Sequence, residues 1–193
     1  ASGVAGVIET ARILAQQKSQ LAHNVEFVFY TLQEPPFFKT EQMGSYIHAK
    51  SVQMQKDQIR GVYILEMIGY YDENLVQQYP VGLKWVYPRH GNFIAAVSNL
   101  QSYELGTNYC ESMLIFNRLE CQRVAAPSFV SAMEFSDHVN YWKFGIPAMM
   151  ITDTASFRNK HYHTHGDSLK TLNIGKMANV VDGLAYSLMV QSD

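Results

Sequence analysis

Between Arg158 and Ser168 the sequence reads RNKHYHTHGDS, which sets His161, His163, His165 and Asp167 within seven residues. Imidazole nitrogens and carboxylate oxygens are the donors a hydrolytic zinc takes, and a catalytic zinc uses three protein ligands while keeping a position open for water. A histidine-rich loop taken alone is equally at home as a solvated surface segment, so the question is which other donors reach the same point. Two places offer them. Gln33 and Glu34 close the run VEFVFYTLQE, and Glu66 interrupts the apolar run IRGVYILEMI. A carboxylate inside a buried strand is costly unless it is paired or bound to a metal. Glu66 is therefore either a site residue or an acid that is salt-bridged or exposed at a rim.

Each cluster needs an element to position it. Residues 25–31 are β-branched and aromatic, the pattern of a strand buried on both faces. Pro35 and Pro36 exclude regular helix or central strand just beyond it. Gln33 and Glu34 then fall at the strand's C-terminal end, where α/β folds place ligands. Residues 59–68, 92–98 and 146–152 read as further strands and 124–126 as a short one, with 70–90 an extended loop. Helices are expected over 1–17, 42–54, 102–121, 137–144 and 175–190. The first carries Val4, Val7, Ile8, Ala11, Leu14 and Ala15 at spacings of three and four. It opens with no N-cap, so preceding residues are expected to be missing. The alternation of helix and strand predicts one α/β domain over 1–193, with a mostly parallel central sheet and helices on both faces. The three clusters then meet on one rim.

Composition narrows the partners. With 47% hydrophobic residues the chain can bury a sizeable core. A formal charge of -2, with basic residues scattered along the chain, leaves no footprint for nucleic acid or an anionic membrane. No apolar run approaches the roughly 18 residues that a membrane span needs. Cys110 and Cys121 both fall in the stretch read as one helix. Eleven residues at ~1.5 Å rise would separate them by ~16 Å, beyond the ~7 Å a disulfide allows, so two buried thiols are expected.

Taken together, these pieces resemble the zinc aminopeptidases of peptidase family M28 (clan MH), which includes animal glutaminyl cyclases. The matching stretches are Ala1-Ser2-Gly3-Val4-Ala5-Gly6, Leu32-Gln33-Glu34-Pro35-Pro36 with Met43-Gly44-Ser45, and Leu65-Glu66-Met67-Ile68-Gly69. After them come Ser136-Asp137-His138, Gly145-Ile146-Pro147-Ala148, Asp153-Thr154-Ala155, and Tyr162-His163-Thr164 with Asp167. They occur in the family's order along essentially the whole chain. The resemblance implies a zinc-dependent exopeptidase fold and hydrolysis of N-terminal peptide bonds by a metal-activated water. It implies Glu34 and His163 as ligands of one zinc, and Glu66 where the family usually has an aspartate ligand of a second. A histidine and a bridging aspartate are implied upstream of Ala1. Two zinc ions are thus expected in the complete domain, and weak or no zinc binding in this chain. An extracytoplasmic compartment, periplasmic or secreted, is favoured by the same resemblance.

One position departs from the family. Its general base is the first glutamate of a Glu-Glu pair, and here Gln33 stands there. An amide can hydrogen-bond a water but cannot take its proton, and losing general-base assistance typically forfeits ~100- to 10,000-fold in rate. Asp137 and Glu41 are candidate replacements. Asp137 has other readings, as a residue orienting a metal-bound histidine or, with Ser136, as a helix N-cap. His161 and His165 read as exposed loop residues. Tyr70, Tyr71, Trp142 and Phe157 either line a substrate pocket or pack under loops. The expected partner is a peptide substrate. The alternatives are an inactive peptidase-like binding module and a glutaminyl cyclase-type acyltransferase.

Overall fold

The computed structural model describes residues 1–79, 83–116, 119–126 and 135–190. Its strands are β1 (Val62–Leu65), β2 (Asp72–Val76), β3 (His90–Gly91), β4 (Phe93–Asn99), β5 (Glu120–Ala126) and β6 (Ala148–Thr152). Its helices are α1 (Ser2–Gln16), α2 (Gly44–Val52), α3 (Tyr103–Phe116), α4 (His138–Lys143) and α5 (Ile174–Val190). The main sheet runs in the order β1, β6, β4, β5. The outer pairs β1–β6 and β4–β5 are parallel and the central pair β4–β6 is antiparallel, so the sheet is mostly parallel, as expected.

Alternate residues of each strand feed separate cores, which is why the strands read as unbroken apolar runs. Ile94 and Ala96 of β4, with Met149 and Ile151 of β6, pack among residues of α3 and α5. Phe93, Ala95, Val97 and Met150 look the other way. On that same side Ile64 and Ala148 meet Ala49 of α2 and Tyr141 of α4. Both faces of the sheet are therefore covered by helices.

Two glycines let α1 close on the end of β1. A Cβ at Gly3 would stand 2.2 Å from the Leu65 carbonyl oxygen, and one at Gly6 would stand 2.8 Å from side-chain atoms of Leu65 and Ile68. The Ser2 hydroxyl accepts the Ile68 N–H at 3.1 Å, fixing the helix start against that turn. The face α1 buries is centred on Gly6, Thr10 and Leu14, while Val4 and Ile8 are exposed.

Three expectations need correction. Residues 25–31 run with no helix, turn or bend, yet pair with no described strand. The loop expected over 70–90 contains β2, which pairs antiparallel with β3. The helix expected over 102–121 is α3 alone, ending at Phe116, and Cys121 lies in β5. With the chain turned back on itself, Cys110 and Cys121 come to 5.3 Å between Cα atoms and form a disulfide. The 16 Å separation held only if one helix carried both.

This disulfide fastens the edge strand β5 to α3. Closing a short loop of this kind is worth ~2–4 kcal/mol, largely by restricting the unfolded chain. The Cys110→Ala/Cys121→Ala variant is expected to lose about that much in urea denaturation. Reductant should lower the wild-type midpoint and leave the variant unchanged.

Candidate functional site

β1 and β6 are parallel, so their C-terminal ends emerge side by side. Glu66 follows β1 directly, its N–H donating to the Ile151 carbonyl at 3.0 Å, and Asp153 follows β6, its N–H donating to Met67 at 2.7 Å. Residues 25–31 end at the same rim, because the Gln33 side-chain amide donates to Glu66 Oε2 at 3.2 Å. Ser136 Oγ donates to that same oxygen at 2.7 Å. His163 Nε2 meets Glu34 Oε1 at 3.1 Å, and the Tyr162 ring stacks on the imidazole at 3.9 Å. Gln33, Glu34, Glu66 and His163 thus come together from three segments far apart in sequence.

The rim is strained. Six described non-glycine residues have φ between 47° and 78°: Leu32, Met67, Thr154, Ala155 and His163 are each a site residue, its neighbour or part of the adjoining cavity wall, and Lys39 follows Phe38 of that wall. Non-glycine residues in that region typically cost ~1–3 kcal/mol each and persist only where surrounding packing dictates them.

Burial raises the Glu66 carboxyl above its usual range; the Ser136 hydrogen bond opposes this, and the charges of Asp137, Glu34 and Asp153 add to it. Asp137 is also raised by burial, against the hydrogen bond it accepts from Ser45. Asp137 is held on Ser45, which is itself held by Asn140. Asp137 stands at the N-cap position of α4 and makes no side-chain cap hydrogen bond, and the Ser136 hydroxyl is turned to Glu66. Asp167 accepts from Asn159 at 3.3 Å and so braces the histidine loop from within.

A cavity of about 310 Å³ opens at these residues. Phe38, Tyr79, Phe93, Val97, Met150 and Phe157 give it an apolar wall, with Gln33, Glu34, Glu66 and His163 along its edge. Of the four aromatic residues expected around a substrate, Phe157 lines this cavity. Tyr70 is buried beneath the turn after β1, and the Tyr71 hydroxyl donates to the Ile68 carbonyl. Trp142 donates to the Ala148 carbonyl and stands edge-on to His138. These three pack in the interior and do not line the cavity.

Sequence reasoning gave no role to the buried pair behind the rim. Asp153 accepts hydrogen bonds from the N–H groups of Gly69, Tyr70 and Ala155. Arg158, only 2% exposed, donates to Gln77 and to the Phe93 and Tyr70 carbonyls. Arg158 opens the histidine run and reads as the start of a solvated loop. An acid just past a strand apolar on both faces was the available signal for Asp153.

Glu34 and His163 are of the donor types zinc takes. Their contact distance is close to the ~3.3 Å that separates two ligands each ~2.05 Å from a tetrahedral ion. Among the described residues no three His, Cys, Asp or Glu stand together as a fuller ligand set.

The model of peptidase family M28 matches residues 1–188. The chain belongs to peptidase family M28. It is 44% identical over 186 residues to the uncharacterized protein YfbL of Escherichia coli K12, covering 95% of this chain and 56% of that one. Among solved structures it superposes on the LapA aminopeptidase of Legionella pneumophila with a TM-score of 0.72 at 18% identity, covering 100% of this chain and 46% of LapA. A zinc aminopeptidase of Bacillus subtilis aligns with a TM-score of 0.52 at 12% identity, over 75% of this chain and 31% of that one. The chain therefore spans 56%, 46% and 31% of the length of these three relatives, and shares the α/β fold of M28 aminopeptidases. Among the described residues no helix is long and apolar enough to cross a membrane.

The Asp153 carboxyl is pushed up to about 6 by burial, which outweighs its three N–H donors and Arg158. The folded protein then holds this proton more tightly than the unfolded chain. The stability this contributes is fully present below about pH 4 and is lost as pH rises through about 6. Urea midpoints measured from about pH 4 to 7 should fall for the wild type relative to Asp153→Asn across that window. Parallel curves would show that Asp153 is ionised throughout.

Proposed function

We propose that the protein containing this chain is a zinc-dependent aminopeptidase acting on peptides whose N-terminal residue carries an apolar side chain. The observation that supports this most directly is the meeting of Gln33, Glu34, Glu66 and His163 at the edge of an apolar cavity. Membership of a peptidase family and the aminopeptidase neighbours agree with it.

Glu34 and His163 would hold one zinc and Glu66 would serve a second, each completed by residues outside this chain. Zinc, when bound, polarises a scissile carbonyl and lowers the pKa of water. The chain's own residues do the rest. The acids at the rim attract the substrate's terminal ammonium, and the wall formed by Phe93, Val97, Met150 and Phe157 receives its first side chain. Gln33 orients a water by hydrogen bonding and cannot accept its proton. The Cys110–Cys121 disulfide favours an oxidising, extracytoplasmic setting.

Gln33 also motivates a second reading, a peptidase-like binding module that keeps the fold and the metal without turnover. The two separate in an assay of the full-length protein with zinc on aminoacyl chromogenic substrates. Gln33→Glu is expected to raise the rate by ~100- to 10,000-fold. The new carboxylate would lie about as close to Glu66 as the amide does, and two acids at that distance share a proton, which raises one pKa toward neutrality. If restoring the acid yields no turnover while zinc binds stoichiometrically, the binding module stands. Pyroglutamate formation from a glutaminyl peptide would instead indicate the cyclase.

A further inference from the structure

The apolar cavity has a positive charge behind its wall. Arg158 is 2% exposed and does not line the cavity, yet its guanidinium carbon stands over the Phe93 ring, which does, at 4.4 Å from the centroid. Its hydrogen bonds all go to neutral acceptors, the Gln77 side chain at 2.7 Å and the Phe93 and Tyr70 carbonyls at 2.8 and 3.3 Å. Among the described residues its Nη2 has no hydrogen-bond partner. Asp153 acts on it through space, but the hydrogen bonds Asp153 accepts come from the N–H groups of Gly69, Tyr70 and Ala155. A guanidinium stays ionised in such a place. With no carboxylate bonded to it, its field reaches past Phe93 into a space of low polarity.

Phe93 begins a stack of rings. Tyr79 lies nearly parallel to it, with centroids 6.4 Å apart and planes at 4°, and Tyr87 follows Tyr79 at 6.2 Å and 28°. The Tyr79 hydroxyl donates to the Pro88 carbonyl and the Tyr87 hydroxyl to the Arg123 carbonyl, so both rings are held in place. All three line the cavity, and so do Phe135 and Phe157, which meet edge to face at 6.0 Å. An aromatic guest gains roughly 2- to 10-fold in affinity from ring contacts of this kind beyond what its buried area supplies. A saturated ring gains none of it.

The charge acts on a different class of guest. A group touching the cavity side of the Phe93 ring lies ~4 Å beyond it, and so ~8 Å from the guanidinium carbon. At an effective dielectric of ~20, two like charges at ~8 Å repel by the equivalent of roughly 30-fold in affinity. The Asp153 charge offsets part of this, and the lost hydration of an ammonium inside apolar walls adds to it. We propose that Arg158 is a specificity-determining residue, whose charge behind a stacked aromatic wall makes the cavity accept an aromatic first side chain and reject that of lysine or arginine. The terminal ammonium escapes this repulsion because it stays at the rim with Glu34 and Glu66. The proposal rests on the reading of the cavity as the seat of the first side chain, and it goes further by ranking aromatic, aliphatic and basic residues there.

Amino alcohols carry the terminal ammonium and a side chain but no scissile bond, so they report on the cavity independently of turnover. Calorimetry on the full-length protein with zinc bound compares phenylalaninol, cyclohexylalaninol and lysinol. Phenylalaninol is expected to bind at least ~3-fold more tightly than cyclohexylalaninol, although the saturated ring buries more apolar surface. Equal or reversed affinities overturn the proposal, as does a failure of all three to bind. Arg158→Met is expected to narrow the gap between phenylalaninol and lysinol by about 10-fold, while Arg158→Lys, which keeps the charge, leaves it within about threefold of the wild type. An unchanged gap in Arg158→Met overturns the proposal, and if that variant does not fold, the comparison of the two rings on the wild type decides. Loss of the aromatic preference with turnover intact leaves the aminopeptidase reading standing. An aromatic preference without turnover gives the same specificity to a binding module.

Discussion

The Asp153 carboxylate accepts the N–H groups of Gly69 and Tyr70, and through them ties the chain leaving β1 to the chain leaving β6. Parallel pairing brings the two strand ends together, but the turns beyond them diverge and carry backbone donors into a buried region. Asp153 satisfies those donors, and three hydrogen bonds and Arg158 nearby offset part of its own desolvation. Glu66 lies three residues before Gly69 and His163 ten residues after Asp153. The separation of the two ends of the site is thus set by a polar clamp that lies behind the rim.

Packing adds to this clamp from the other side. α1 approaches β1 so closely that Gly3 has no room for a side chain beside the Leu65 carbonyl. The turn carrying Glu66 is thereby held between α1 and β6. Strain follows from the same crowding. Met67 takes a left-handed conformation just after Glu66, and Thr154 and Ala155 do so just after Asp153. Residues held this way have few alternative conformations, which keeps the acid, amide and imidazole fixed relative to one another.

Electrostatically the rim gathers acids in a poorly solvated place. Glu66, Asp137 and Asp153 are all raised by burial, and Glu66 is raised further by its acidic neighbours. A neutral side chain at position 33 lowers that repulsion, because the Gln33 amide donates a hydrogen bond to Glu66 where a second carboxylate would repel it. The same exchange removes a proton acceptor. Position 33 therefore trades local electrostatic relief against general-base chemistry, and the residue found there favours the first.

Local sequence was enough to place β1, β4 and β6, as apolar runs, and α1 and α5, by helical spacing, although the face α1 buries is centred on Gly6, Thr10 and Leu14 and leaves Val4 and Ile8 exposed. It also placed Gln33, Glu34, Glu66 and His163 at the ends of elements, and the M28 pattern in those residues was legible without coordinates. Local pattern could not say where α3 stops, and so it separated Cys110 from Cys121, which only the return of the chain as β5 brings together. Nor could it assign Asp153 and Arg158, whose roles arise from donors and acceptors contributed by distant turns. Tyr70, Tyr71 and Trp142 were ambiguous for the same reason, because an aromatic ring packs under a loop or faces a cavity depending on neighbours remote in sequence. Residues 25–31 carry every mark of a strand, and that is a property of their side chains. Whether they form a ladder depends on a partner edge, and pairing is a property of the tertiary structure.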